Sequence, residues 1–210
     1  MNVTFVHCSP DAENLIVKMA RVSNPANEDN VTTGPKLLKY LINHQHWSPF
    51  EMASLCVQIH TERDISAQIL RHRSFSFQEF STRYAEAQPL TVPELRKQDL
   101  KNRQNSTNDL DFNTQVYYDA QIRYQYADIE ELYEQMIADG VAKECARRIL
   151  PLSTQTTLYM HGTLRSFIHY IKIRTDASTQ LEHRLIAIEI KKIFCNQFPI
   201  IGQAAFEADV

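Results

Sequence analysis

Apolar positions along this chain come in short runs whose period switches between two and about 3.6, with polar punctuation between them. Residues 3–6, Val-Thr-Phe-Val, are β-branched or aromatic and predict a short strand. Within 11–21, Leu15, Ile16 and Met19 recur at helical spacing. Residues 24–33 are polar and contain Pro25, which predicts a loop. Pro35 opens a helix, because proline is tolerated in the first turn, and Leu37, Leu38, Leu41 and Ile42 give that helix its apolar face. Trp47-Ser48-Pro49 breaks it. Leu55, Val57 and Ile59 alternate across 53–60 and predict a strand with one buried face. Asp64 is placed to cap a helix running to about Arg73. Ile65 and Ile69 point that helix at the core, helped by Ala67 and Leu70. Gln68 and Arg71 lie three apart and share another face.

The second half is more helical. Residues 87–112 are polar, with Pro89, Pro93 and Asn105-Ser106-Thr107-Asn108, and read as one long connection. Tyr118, Ile122, Ile129, Tyr133 and Met136 form the stripe of a long helix over 114–139, destined for the core or a subunit interface, with Gly140 at its end. A short helix over 142–149 stops at Pro151, and 154–159 reads as a strand. Residues 164–173 and 178–198 are helical. The pattern predicts an α+β fold: one domain over 1–210, a small β-sheet packed by helices, with the long helices in the C-terminal half.

Composition narrows the function. The chain has 210 residues, 43% of them apolar, enough for a core. A net charge of −3 argues against general affinity for nucleic acid, so any basic patch is local. Cys8, Cys56, Cys145 and Cys195 are scattered, which disfavours a metal site or a disulfide framework and suits reduced thiols in a cytoplasmic protein. Cys145 beside Ala146-Arg147 reads as a buried helical thiol rather than a nucleophile. The N-terminus has no basic stretch leading into an apolar run, and no apolar run reaches membrane-spanning length. With four glycines and no Gly-x-Gly-x-x-Gly, a Rossmann dinucleotide site is not expected.

One stretch concentrates the chemistry. Residues 71–84, Arg-His-Arg-Ser-Phe-Ser-Phe-Gln-Glu-Phe-Ser-Thr-Arg-Tyr, hold three arginines, a histidine and a glutamate, and place hydroxyls at Ser81 and Thr82. Arginines repel one another at close range, so such a cluster implies an anionic partner. The planar guanidinium fork suits phosphate and carboxylate, and hydroxyls complete such a cradle. The residue types point to a phosphorylated ligand, against the plainer reading of a solvated basic helix end. Ser81 beside arginines also has the setting of an activated nucleophile.

The spacing Arg71-His72-Arg73, seven residues, Ser81, then Arg83-Tyr84 resembles the signature of the flavin-dependent thymidylate synthases. Ala20-Arg21-Val22-Ser23, His46-Trp47-Ser48-Pro49-Phe50-Glu51, Ala146-Arg147 with Leu150-Pro151, and Arg165 through Arg174-Thr175-Asp176 resemble further segments of that family, in family order. The resemblance implies conversion of dUMP to dTMP, with 5,10-methylenetetrahydrofolate as carbon donor, FAD as hydride carrier and NADPH as reductant. It implies that Gln68, Arg71, Glu79, Ser81, Thr82, Arg83, Arg147 and Arg174 bind dUMP. Ser81 then becomes a binding residue rather than a nucleophile. Arg174 is the implied catalytic cation beside the pyrimidine, worth about 3–4 kcal/mol by analogy with other preorganised donors. Its plainer reading is a helix C-terminal cation. For FAD the resemblance points to Ser23, Ser48, Glu51, Arg71, His72, Arg73, Glu79, Thr163, Arg165 and His169, and His46 is implied to aid folate binding and carbon transfer. A homotetramer with shared active sites is implied too.

Gln78, Thr163, His169 and Ser178 depart from the commonest family pattern, where asparagine or histidine is usual. Those departures touch the FAD contacts and leave the arginine set intact. Two other readings compete. One is a single-strand nucleic-acid module of arginines and stacking aromatics, which the negative net charge opposes. The other is a catalytically silent nucleotide-binding relative.

Overall fold

The computed structural model describes residues 1–28, 30 and 32–206. Its strands are β1 (Asn2–Cys8), β2 (Ser54–Glu62), β3 (Phe75–Glu79), β4 (Lys97–Gln98), β5 (Ser106–Thr107) and β6 (Gln155–Thr163). Its helices are α1 (Ala12–Ala20), α2 (Gly34–Asn43), α3 (Arg63–Ile69), α4 (Phe112–Ala138), α5 (Lys143–Ala146), α6 (Leu164–Arg174), α7 (Leu181–Gln197) and α8 (Pro199–Phe206). One sheet has the order β1-β2-β6-β3, and β4 pairs antiparallel with β5. The α+β class is as expected.

The chain divides into two compact units: residues 1–59, 70–78 and 159–210, and residues 60–69 and 79–158. In the first, α7 packs on β1, α6 and α8, and α2 packs on α1 and α8. Leu38, Phe50, Leu55, Val57, Ile59, Phe167, Phe194 and Ile201 are buried there. Glu13 of α1 accepts the backbone N–H of Ile201 at 2.8 Å, tying α8 to the N-terminal helix. In the second, α4 packs on α5. The Tyr133 hydroxyl of α4 accepts the N–H of Ala87 at 3.0 Å. Tyr126 meets Ser153 at 2.6 Å.

Several boundaries differ from the sequence pattern for local reasons. Strand β6 runs on to Thr163, where the Thr163 hydroxyl accepts the N–H of Ser166 and caps α6. Helix α3 starts at Arg63, so Asp64 lies inside its first turn rather than at its N-cap, and the helix ends at Ile69 instead of Arg73. Ile65 and Ile69 are buried as expected, whereas Ala67 and Leu70 face solvent. The signature continues from a turn into β3. In the long connection, β4 and β5 pair and Leu90 bridges Thr154. Of the α4 stripe, Tyr133 is buried, Ile122, Ile129 and Met136 are half-buried and Tyr118 is exposed, so the stripe is the more covered side of a helix whose other faces meet solvent. Cys145 is exposed, not buried, because α5 is a single turn that turns Ala146 inward instead.

Candidate functional site

In the first unit, α6 begins at Leu164 and carries Arg165, His169, Tyr170 and Arg174. Tyr170 and Arg174 are four apart and share a face. Tyr170 is fully buried while Arg174, in the last turn, is half-buried. His72 reaches this face from the turn before β3, and Arg174 Nε donates to His72 Nε2 at 2.9 Å. Arginine has no acceptor, so His72 is neutral and carries its proton on Nδ1. Burial first, then the charge of Arg174 and of His169, pushes the His72 pKa down to about 4. The imidazole is walled edge-on by Tyr170, at 4.9 Å between ring centroids, and by His183 at 6.2 Å. The Tyr170 hydroxyl meets His183 Nε2 at 3.1 Å. His183 is wholly buried, and burial holds its pKa at about 4, helped by Arg174 and His72. Burial also raises the Tyr170 phenol above its ordinary range.

A cavity of about 730 Å³ opens in the same unit, lined by Gln45, Trp47, Glu51, Ser74, Thr163, Arg165, Ser166, Ile168, His169 and Lys172. Its size suits a cofactor-sized ligand. Arg165 donates to Glu51 at 2.6 Å, and this bond, more than the one from Thr163, holds the Glu51 carboxyl below its ordinary range. Glu51, Thr163, Arg165 and His169 were expected at a FAD site and all line this cavity. Gln45, Trp47 and Lys172 were not singled out. Lys172 had a sequence signal, since it lies on α6 between His169 and Arg174, but a cation near a helix C-terminus reads first as a dipole partner. Ser23, Ser48, Arg71, His72, Arg73 and His46 do not line the cavity. Ser23 is exposed in the turn after α1, and Ser48 begins a 3-10 turn at Ser48–Glu51. Arg71 and Arg73 flank His72 and are exposed. His46 is exposed and meets Tyr40 edge-on at 5.9 Å.

The second unit holds a different group. Thr82 is buried, and its Oγ1 accepts from Arg147 Nη1 at 3.3 Å and from Arg63 Nη1 at 3.4 Å. Glu79 Oε1 accepts from Ser66 at 2.7 Å and from Thr156 at 3.1 Å. Ser81 is exposed, and its carbonyl accepts the N–H groups of Tyr84 and Ala85. Arg83 is exposed and lies 3.7 Å from Glu144. Gln68 is half-buried on α3. The structure therefore brings Thr82 and Arg147 together, adds Arg63, and places Glu79 on hydroxyls.

The family model of the thymidylate synthase complementing protein matches residues 4–200. A probable flavin-dependent thymidylate synthase of Paramecium bursaria Chlorella virus 1 is 50% identical over 92% of this chain and 90% of its own. The chain belongs to the flavin-dependent thymidylate synthase family. The flavin-dependent thymidylate synthase of Synechocystis is likewise 50% identical, over 91% of this chain and 88% of its own. A solved UMP/dUMP methylase, PolB from Streptomyces cacaoi bound with 5-Br dUMP, superposes with a TM-score of 0.84 at 27% identity, covering 97% of this chain and 93% of that one. Membership of the flavin-dependent thymidylate synthases makes the chain an enzyme of the methyltransferase class that uses a flavin. Among the described residues no helix is long and apolar enough to cross a membrane.

Proposed function

We propose that this protein methylates dUMP reductively to dTMP, drawing carbon from 5,10-methylenetetrahydrofolate and reducing power from NADPH, as a cytoplasmic homotetramer with shared active sites. The observation that carries this reading is the Arg174–His72 pair: a cation held at one nitrogen by a neutral acceptor, with its two terminal nitrogens left to meet a ligand. FAD, when bound, supplies the hydride chemistry that no side chain of this protein provides. The cavity residues fit it: Arg165 and Lys172 offer cations for a pyrophosphate, and Trp47 and Ile168 offer flat and apolar wall for a ring system.

The terminal N–H groups of Arg174 favour negative charge on N3 and O2 of the pyrimidine as C5 becomes nucleophilic. Thr82 and Arg147 hold the nucleotide phosphate, with Ser81 and Arg83 beside them in sequence and Gln68, Arg71 and Glu79 completing the dUMP set. Glu51, Thr163, Arg165 and His169 hold FAD, with Ser23, Ser48, Arg71, His72, Arg73 and Glu79 as further FAD residues. His46 aids folate binding and carbon transfer. In this arrangement His72 keeps one ring nitrogen engaged by Arg174, so any contact with FAD uses Nδ1–H or the ring face.

The purified protein tests this by its colour. Flavin absorbance in the visible that bleaches on anaerobic addition of NADPH, faster with dUMP present, is expected. A colourless protein that takes up no FAD overturns the reading.

A further inference from the structure

Two guanidinium groups point at one buried oxygen in the second unit. Arg63 Nη1 and Arg147 Nη1 lie 3.4 Å and 3.3 Å from Thr82 Oγ1, and Thr82 is 1% exposed. Like charges brought this close repel. Among the described residues, no ion pair takes up either guanidinium. The carboxylates that flank Arg63 in sequence are turned to other work: Glu62 accepts from Thr61, and Asp64 accepts the N–H of Ile65.

The arrangement is held in place from behind. The backbone N–H of Arg63 donates to Thr154 at 3.0 Å, that of Asp64 to Leu152 at 3.1 Å, and that of Phe80 to Thr157 at 2.8 Å. Both the start of α3 and the segment leading to Thr82 are thus fixed to residues 152–157. The Thr82 hydroxyl accepts on both lone pairs, which leaves its proton to donate. Each guanidinium spends one of its five N–H donors there. What results is a set of donors held from behind, with two positive charges that, among the described residues, form no ion pair.

We propose that Arg63 is a further substrate-binding residue, which with Arg147 and Thr82 clamps the phosphate dianion of the nucleotide. This rests on the reading of dUMP as substrate. It extends the phosphate site to a residue outside the signature, eight positions before Arg71. A dianion between the two forks relieves their mutual repulsion, and planar guanidinium groups suit phosphate oxygens. Arg63 is then a determinant of specificity for the phosphorylated nucleotide over the free nucleoside.

The test compares dUMP with deoxyuridine, which lacks only the phosphate, by calorimetry on the flavin-loaded enzyme. Arg63→Gln keeps an N–H donor for Thr82 but removes the charge, whereas Arg63→Lys keeps the charge. Arg63→Gln is expected to weaken dUMP at least tenfold and to change deoxyuridine by less than twofold. Arg63→Lys is expected to recover part of the loss. Inorganic phosphate is expected to compete with dUMP on the wild type and less well on Arg63→Gln. Equal loss of dUMP and deoxyuridine, or dUMP binding as tight in Arg63→Gln as in the wild type, overturns the proposal. If Arg147→Ala selectively loses dUMP while Arg63→Gln does not, this inference alone fails. If the wild type binds neither ligand, the substrate reading fails and takes this inference with it.

Discussion

Arg174 and His72 share a hydrogen that only the arginine is able to donate. The orientation of the guanidinium therefore depends on His72 offering a lone pair. His72→Gln keeps an acceptor at the right reach, and His72→Leu removes it. At saturating FAD, turnover of His72→Gln is expected to stay within a few-fold of wild type, and that of His72→Leu to fall toward Arg174→Ala. That last variant is expected to lose about 10²–10³-fold in kcat, the usual cost of removing one preorganised donor. Equal kcat in the glutamine and leucine variants would remove His72 from this role. Half-buried His72 and buried His183 also set a pH limit. Both have folded-state pKa values near 4, below the ordinary value of 6.5. The unfolded chain therefore binds more protons than the folded one between those values, so stability is fully present above pH 6.5 and is lost as pH falls toward 4. The slope is about 1.4 kcal/mol per pH unit for each proton involved. Urea midpoints at pH 7 and pH 5 measure it, and replacing His183 with a neutral side chain that still folds is expected to flatten the dependence.

Strand β6 and helix α6 act as one continuous support, since the strand ends at Thr163 and that residue caps the helix. Gly162 lies against the Phe75 ring so closely that an added Cβ would sit 2.5 Å from it. Gly162→Ala is expected to cost about 1–3 kcal/mol, as overpacked cores do, seen as a lower thermal midpoint. A midpoint equal to wild type would show that Phe75 moves aside freely. The pairing of β3 with β6 was not legible in the sequence, because Phe75 and Phe77 are embedded among polar signature residues that draw attention to ligand chemistry rather than to strand pairing. The strands at β2 and β6 and the helices α2, α4, α6 and α7 were legible, because their apolar residues keep a clean period. Helix α8 was missed, since Pro199 so soon after α7 reads as a stop, yet here it starts a new helix. Of the candidate site, the cavity residues Glu51, Thr163, Arg165 and His169 were legible through their resemblance to a known family. Arg63 was not, because Glu62 and Asp64 beside it make it look self-neutralised. His183 was hidden for another reason: one polar residue within a helix carries no sign of what its side chain meets.

At the scale of the whole molecule, the long α4 leaves Phe112, Tyr117, Tyr118, Tyr124 and Leu132 at 49–74% exposure. Exposed apolar surface of this extent suits contact between subunits. Light scattering is expected to give about four times the 24.4 kDa of one chain, and Tyr118→Lys with Tyr124→Lys to lower that mass. A wild-type monomer at micromolar concentration would refute the tetramer. The order of the units along the chain has a separate consequence, for synthesis. Residues 60–69 and 79–158 of the second unit are made between the parts of the first, so it is complete while the first still lacks residues 159–210. Helices α1 and α2, made before the second unit, then wait on the ribosome for α7 and α8 to arrive, about 10–30 s at the roughly 5–20 residues per second of translation. Through that interval Leu38 and Leu41 have no final cover, which makes the nascent N-terminal segment a natural client for a chaperone that binds at the exit tunnel.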